Sequence, residues 1–145
     1  MNWARTSTAA FATVVVAVAV LVWRKALFGT GPVTIAIQAA AVLLMIWARA
    51  TFGLRSFHAA ANPTAGGLVT GGPYRYLRHP IYSAVLYFIW AGIAAHFSLW
   101  NVLLALLASA MLALRIRAEE TLILGRYPEY ADYARRTRRV VPFLF

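Results

Sequence analysis

The sequence predicts an all-α integral membrane protein, a bundle of four transmembrane helices followed by a short cytoplasmic helix. Three observations point there. The 145-residue chain is 62% hydrophobic, with a mean hydropathy of +0.69, which is not the composition of an ordinary soluble domain. Its uncharged runs are long enough to cross a hydrocarbon core of roughly 30 Å. Its 14 Lys and Arg, set against four Asp and Glu, flank those runs, which suits lipid headgroups and excludes nucleic acid as the partner. The chain has no cysteine, so disulfides, thiolate metal sites and cysteine nucleophiles are excluded as well.

The first span is the uncharged run Thr6 to Trp23, preceded by Arg5 and closed by Arg24-Lys25. It is long for a signal-peptide core and no small-x-small cleavage site follows, so it reads as a retained helix. The second run, Ala26 to Ala48, contains the tight turn Gly29-Thr30-Gly31-Pro32, and Pro32 suits a first helical position. Its lone amide, Gln38, reads as an interhelical hydrogen bond. Residues 1–52 thus form a two-helix scaffold. Phe52 to Gly72 holds five of the nine glycines together with Asn62 and Pro63, and reads as an interfacial loop with Arg55, Phe57 and His58 at the membrane surface. His58 has no second ligand at metal-binding spacing, and no metal site is expected.

Gly71-Gly72-Pro73-Tyr74-Arg75-Tyr76-Leu77-Arg78-His79-Pro80-Ile81-Tyr82 follows, a polar and aromatic segment between hydrocarbon-like runs. Pro80 lacks an N–H and suits the first turn of a helix, with His79 at the N-cap. The free N–H groups and the positive dipole end of that helix favour an anionic group beside His79 and Arg78. The plainer reading of the same residues is a basic interfacial turn with Tyr and Arg anchors.

Pro80 to Leu114 carries no charged residue over 35 positions. As one straight helix it would be about 52 Å long, too long for a bilayer. The expected break is His96 to Asn101, with Ser98 capping the returning helix, giving helices over about 80–96 and 99–118. Trp100 and a solvated His96 mark the far interface. All four acids, Glu119, Glu120, Glu129 and Asp132, lie beyond that hairpin, so any carboxylate chemistry must use the tail. Tyr127 to Tyr133 reads as a short amphipathic helix with Pro128 in its first turn. Arg135-Arg136-Thr137-Arg138-Arg139 reads as a basic run facing headgroups, and Val140 to Phe145 as an apolar end. With four spans, twelve of the basic residues share one face with the central motif, and only Arg24 and Lys25 lie on the other. The positive-inside rule then puts both termini in the cytoplasm, as in a bacterial inner membrane.

The pattern Leu68-Val69-Thr70, Gly72-Pro73-Tyr74-Arg75-Tyr76-x-Arg78-His79-Pro80-x-Tyr82, then Glu119-Glu120, Tyr130-x-x-Tyr133 and Arg139-x-x-Pro142 resembles the isoprenylcysteine carboxyl methyltransferases. Phospholipid methyltransferases share that architecture. The resemblance covers residues 66–142 as a catalytic core, and implies one membrane-embedded methyltransferase domain over residues 1–145. It implies S-adenosyl-L-methionine as cofactor, held by Leu68, Val69, Tyr74, His79, Pro80, Ile81, Tyr82, Glu119 and Glu120. It further implies that Arg115 sits by the methyl acceptor, a lipophilic or amphiphilic small molecule with a carboxyl or amine group that enters from the surrounding membrane lipids. Glu119 and Arg115 are the catalytic candidates. Glu119, Glu120 and His79 are candidate bases for an amine, whereas a carboxylate needs none. The chain departs from the family at Ala84, where glycine is usual and the cofactor cleft would narrow, at Gly66-Gly67, and at Tyr127-Pro128. Two other classes fit parts of the pattern. A sterol-reductase-type NADPH enzyme carries a similar Arg-His-Pro tyrosine motif, and a non-catalytic membrane scaffold needs none of these roles.

Overall fold

The computed structural model describes residues 2–53 and 67–141. The readings made for Arg55, Phe57, His58, Asn62, Pro63 and Gly66, and for the chain from Pro142 onward, lie outside the described residues.

Five α-helices and no strands are found among the described residues: α1 (Trp3–Trp23), α2 (Pro32–Phe52), α3 (Pro80–Ala95), α4 (Leu99–Arg126) and α5 (Tyr130–Arg136), with a 3-10 turn at Gly72–Arg75 before α3. Three of them, α1, α2 and α4, are long and apolar enough to cross a membrane, while α3 is an apolar helix of 16 residues.

The expected turn chemistry is in place. Pro32 opens α2, and the Gly31 N–H donates to Thr34 Oγ1 at 3.1 Å. Ser98 caps α4 by accepting the Asn101 N–H at 3.2 Å. Two boundaries differ from expectation. The returning helix continues to Arg126, because residues 115–124 contain neither glycine nor proline and Arg115 pairs with Glu119 one turn on. α5 begins at Tyr130, leaving Pro128 in the turn ahead of it, where Tyr130 N–H bonds Tyr127 O and Ala131 N–H bonds Pro128 O.

Packing runs in the order α1–α4–α3–α2. Consecutive α1 and α2 do not form a packed pair among the described residues. α1 buries Ser7, Ala10, Val14, Ala17 and Leu21, and the antiparallel α4 buries Asn101, Ala105, Ala108, Leu112 and Arg115. Both sets step by three and four residues, which is the seam of a coiled-coil-like pair, and the alanines let the backbones approach. The middle of the seam is apolar and its ends are polar. At one end Arg24 Nε donates to Asn101 Oδ1 at 2.8 Å. His96, expected in solvent there, donates from Nε2 to Phe28 O at 2.9 Å. At the other end Arg115 Nη1 donates to Ser7 O at 3.2 Å.

The remaining contacts tie the 24–31 turn to α3. Gln38 makes the interhelical bonds expected of it, donating to Leu27 O at 2.7 Å and Phe88 O at 3.0 Å while accepting the Gly29 N–H at 2.8 Å. Gly92 lets α3 lie directly on the Leu27 carbonyl, where any Cβ would overlap it.

The tail folds back on the central motif. Leu77 and Arg138 form an isolated parallel bridge, with Arg78 N–H to Arg138 O at 2.7 Å, His79 N–H to Arg139 O at 3.1 Å and Arg138 N–H to Tyr76 O at 3.0 Å. The basic run therefore does not simply face headgroups. Its backbone is stitched to the segment before α3, and Arg139 turns inward. Val140 is buried, and its carbonyl accepts Ser83 Oγ at 2.7 Å and Tyr87 OH at 2.9 Å.

Candidate active site

The first turn of α3, the outer part of α4 and the returning tail converge on two carboxylates. Pro80 starts α3, and His79 stands at its N-cap without making a side-chain cap bond. That frees the imidazole, which is buried and stacked on the Tyr82 ring, with centroids 5.6 Å apart and planes 15° apart. Its two nitrogens face different acids: Nδ1 lies 3.7 Å from Glu119 Oε2 and Nε2 lies 3.3 Å from Glu120 Oε1.

Glu120 is the more heavily bonded of the two. Its Oε1 takes Arg78 Nε at 2.9 Å, His79 Nε2 at 3.3 Å and Tyr130 OH at 3.3 Å, and its Oε2 takes Arg139 Nε at 3.1 Å. Arg78 also donates from Nη1 to the carbonyls of Ala134 and Thr137, at 2.5 and 2.7 Å, so this ion cluster locks α5 and the tail onto the motif. A buried carboxylate is tolerated here because two guanidiniums, an imidazole and a phenol hydroxyl donate to it.

Glu119 is only partly satisfied. Its Oε1 accepts Tyr82 OH and lies 3.1 Å from Arg115 Nε, while among the described residues the nearest donor to Oε2 is the more distant imidazole. A carboxylate offers about four lone-pair directions, so Oε2 retains capacity, and the side chain remains 18% exposed. Arg115 is held besides by Tyr82, to whose OH its Nε donates at 2.6 Å, by the Ser7 carbonyl, and by Phe11, whose ring centroid lies 4.8 Å from the guanidinium.

The structure therefore brings His79, Tyr82, Arg115, Glu119 and Glu120 into one network. Ile81 is half-buried on α3 and Pro80 is fully buried. Tyr74 lies buried beneath the motif, its ring 5.5 Å from that of Phe52 and its carbonyl accepting Tyr133 OH at 2.7 Å. Burial pushes the phenols of Tyr74 and Tyr130 well up, and that of Tyr133 up to about 12. Leu68 and Val69 are half-buried ahead of the 3-10 turn and offer apolar surface. Ala84 is buried in α3. Sequence reasoning did not foresee the pairing of Arg78 and Arg139 with Glu120, nor any part for Ser7 and Phe11. A usable signal for the first was present: an acid adjoining another acid in an apolar chain needs cations brought to it.

All-helical among its described residues, with three helices long and apolar enough to cross a membrane, the chain has the architecture of a membrane protein. Residues 27–129 match the family model for phospholipid methyltransferase, and the chain belongs to that family, as the Arg-His-Pro and Glu-Glu motifs implied. Family membership points to a membrane methyltransferase. The chain is 37% identical over 78 residues to the cobalt-zinc-cadmium resistance protein CzcN of Cupriavidus metallidurans, covering 53% of this chain and 36% of that protein. It is equally similar, 37% over 78 residues, to the nickel-cobalt-cadmium resistance protein NccN of Alcaligenes xylosoxydans xylosoxydans, covering 53% of this chain and 37% of that one. The chain thus spans little more than a third of these curated relatives. No solved structure matches it.

Proposed function

We propose that the protein transfers a methyl group from S-adenosyl-L-methionine to a lipophilic or amphiphilic acceptor at the cytoplasmic face of the membrane, in the manner of the isoprenylcysteine carboxyl methyltransferases. The observation that carries this is the asymmetry of the two carboxylates among the described residues: Glu120 takes four donors, and Glu119 Oε2 meets only the imidazole of His79, at 3.7 Å. That donor set fits the cofactor, whose ammonium or ribose hydroxyls suit Glu119 Oε2 and whose carboxylate suits the N–H groups at the start of α3. Leu68, Val69, Tyr74, His79, Pro80, Ile81 and Tyr82 would supply the rest of its surroundings, and Glu120 would hold the tail over them. The bound cofactor supplies an electrophilic methyl group.

The chain's own contribution is mainly placement, because an in-line displacement is accelerated by alignment. Arg115 orients the acceptor's polar group, and Glu119 with Tyr82 fixes the Arg115 fork. For a carboxylate acceptor no proton needs moving. For an amine, Glu119 or His79 takes the proton.

In this proposal α3 crosses the bilayer with α1, α2 and α4, which gives four spans and puts both termini in the cytoplasm. At 1.5 Å per residue, the 28 residues of α4 extend about 42 Å. Measured from Leu99, Arg115 then lies just inside a core of roughly 30 Å and Glu119 at its edge. The water-soluble cofactor meets Glu119 from the cytosol, and the acceptor meets Arg115 from the lipid.

Calorimetric titration of detergent-purified protein with S-adenosylhomocysteine tests the proposal. Saturable one-to-one binding, weakened at least about tenfold (about 1.4 kcal/mol) by Glu119→Gln, is expected. Absence of binding to the wild type, or binding of NADPH instead, would overturn it.

A further inference from the structure

Helix α1 ends at Trp23, ahead of the family-matching segment at 27–129, yet it touches the candidate site. Ser7 gives its carbonyl to Arg115 Nη1 at 3.2 Å, and Phe11, one turn further on, lies under the same guanidinium at 4.8 Å. Ser7 is also the α1 seam position opposite Arg115.

The Ser7 hydroxyl is anomalous. The other hydroxyls of α1 return to the carbonyl four residues back: Thr6 to Asn2 O at 3.1 Å, Thr8 to Ala4 O and Thr13 to Ala9 O at 3.0 Å each. Ser7 is 0% exposed, and its Oγ has no hydrogen-bond partner among the described residues. Buried polar groups are normally satisfied, so an unsatisfied hydroxyl on the residue whose carbonyl meets a buried cation marks a place where a further polar group belongs. Phe11, in contrast, is 38% exposed, so the Ser7–Arg115 pair lies next to a ring that reaches the lipid-facing surface.

Resting on the methyltransferase reading above, we propose that Ser7 and Phe11 complete the head-group subsite of the acceptor. The occupant is a single-chain amphiphile with an anionic oxygen head, a carboxylate or a phosphate. Its head accepts the Ser7 hydroxyl and shares the Arg115 cation, displacing the Phe11 ring from over the guanidinium, and its chain leaves along Phe11 into the bilayer. α1 is then the specificity-determining element, carried outside the segment that the family has in common.

The test measures affinity for three probes in neutral detergent: oleate, 1-oleoyl-lysophosphatidate and dodecyltrimethylammonium, alongside S-adenosylhomocysteine. One anionic probe should bind saturably and the cationic one should not, and the better of oleate and lysophosphatidate identifies the head as carboxylate or phosphate. Ser7→Ala should lose at least about tenfold in affinity for that probe, with S-adenosylhomocysteine affinity unchanged and a Tm no lower than wild type. A merely structural serine would behave oppositely, since deleting an unsatisfied buried hydroxyl relieves the fold without touching ligand affinity. Phe11→Ala should weaken the probe similarly, and Phe11→Leu provides the variant that keeps the fold should alanine not. The proposal is overturned if both Ser7→Ala and the Phe11 variants bind the anionic probe as wild type does, if no anionic probe saturates, if the cation binds better, or if Ser7→Ala loses S-adenosylhomocysteine equally. Ser7-dependent probe binding by a wild type that ignores S-adenosylhomocysteine would support the subsite while overturning the methyltransferase reading.

Discussion

Glu119 and Glu120 are neighbours on α4 that close different circuits, and His79 bridges them, with Nδ1 3.7 Å from one and Nε2 3.3 Å from the other. Glu120 binds the tail to the α3 motif through Arg78 and Arg139. Glu119 holds Tyr82 and Arg115 and retains an oxygen for something else.

The two acids should therefore separate in mutagenesis. Glu120→Gln leaves Arg78 and Arg139 facing a neutral amide and should cost about 1–3 kcal/mol of stability, read as a lowered Tm in detergent. Glu119→Gln leaves Arg115 the Tyr82 hydroxyl and the Ser7 carbonyl, so it should lower Tm less than Glu120→Gln does while losing cofactor affinity. Equal losses of stability in both variants would show that the division of labour is wrong.

Arg115→Ala should cut turnover by two orders of magnitude or more once an acceptor is known, an effect of about 3 kcal/mol, with S-adenosylhomocysteine affinity nearly unchanged. If cofactor affinity falls and turnover at saturating cofactor survives, Arg115 belongs to the cofactor side.

The absence of cysteine makes single-cysteine labelling clean. Thr30→Cys and Thr70→Cys, both at exposed positions, should react with an impermeant maleimide from opposite faces, position 70 from the cytoplasm. Labelling of both from one face would remove α2 as a span.

Alkaline pH should loosen the tail. Burial holds Tyr133 protonated up to about 12 in the folded state, while an unfolded tyrosine ionises near 10. The raised folded value means its stabilising contribution is whole below pH 10 and is lost as pH rises from 10 through 12. Tyr133→Phe, which also removes the bond to Tyr74 O, should lower stability by about 1 kcal/mol at neutral pH. It should also shallow the decline between pH 10 and 12, with Tyr74 and Tyr130 sustaining the remainder. An unchanged slope in the variant would place the ionisation elsewhere.

Gly92→Ala should be among the most damaging single-methyl additions in the chain, because the new Cβ would overlap the Leu27 carbonyl. An overpacking cost of about 1–3 kcal/mol predicts a clear drop in Tm. A wild-type melt would mean that α3 does not rest on that turn.

Much of the fold was legible because it follows from local rules. Pro32, Ser98 and Gln38 did what turn, cap and membrane-amide chemistry require, and the apolar runs marked the helices. The site was legible only through its motif: His79, Tyr82 and Glu119 meet across 36 intervening positions and more, and no periodicity carries that information. The inward turn of Arg139 was hidden inside a basic run that reads as solvated. Ser7 was hidden more deeply, since a serine among alanines and threonines near a helix start looks ordinary until Arg115 is seen opposite it on the seam.

The 16 residues of α3 rise about 24 Å, some 6 Å short of an average hydrocarbon core of roughly 30 Å. If α3 crosses as proposed, lipid must thin around it or neighbouring headgroups must sink, at a fraction of a kcal/mol per Å. The dent would form where α3 begins, at Pro80, lowering the aqueous boundary towards Arg115 at the one place where a soluble donor and a lipid-borne acceptor have to meet. Hydrophobic mismatch would then be part of the active site, and turnover should rise in bilayers of shorter acyl chains.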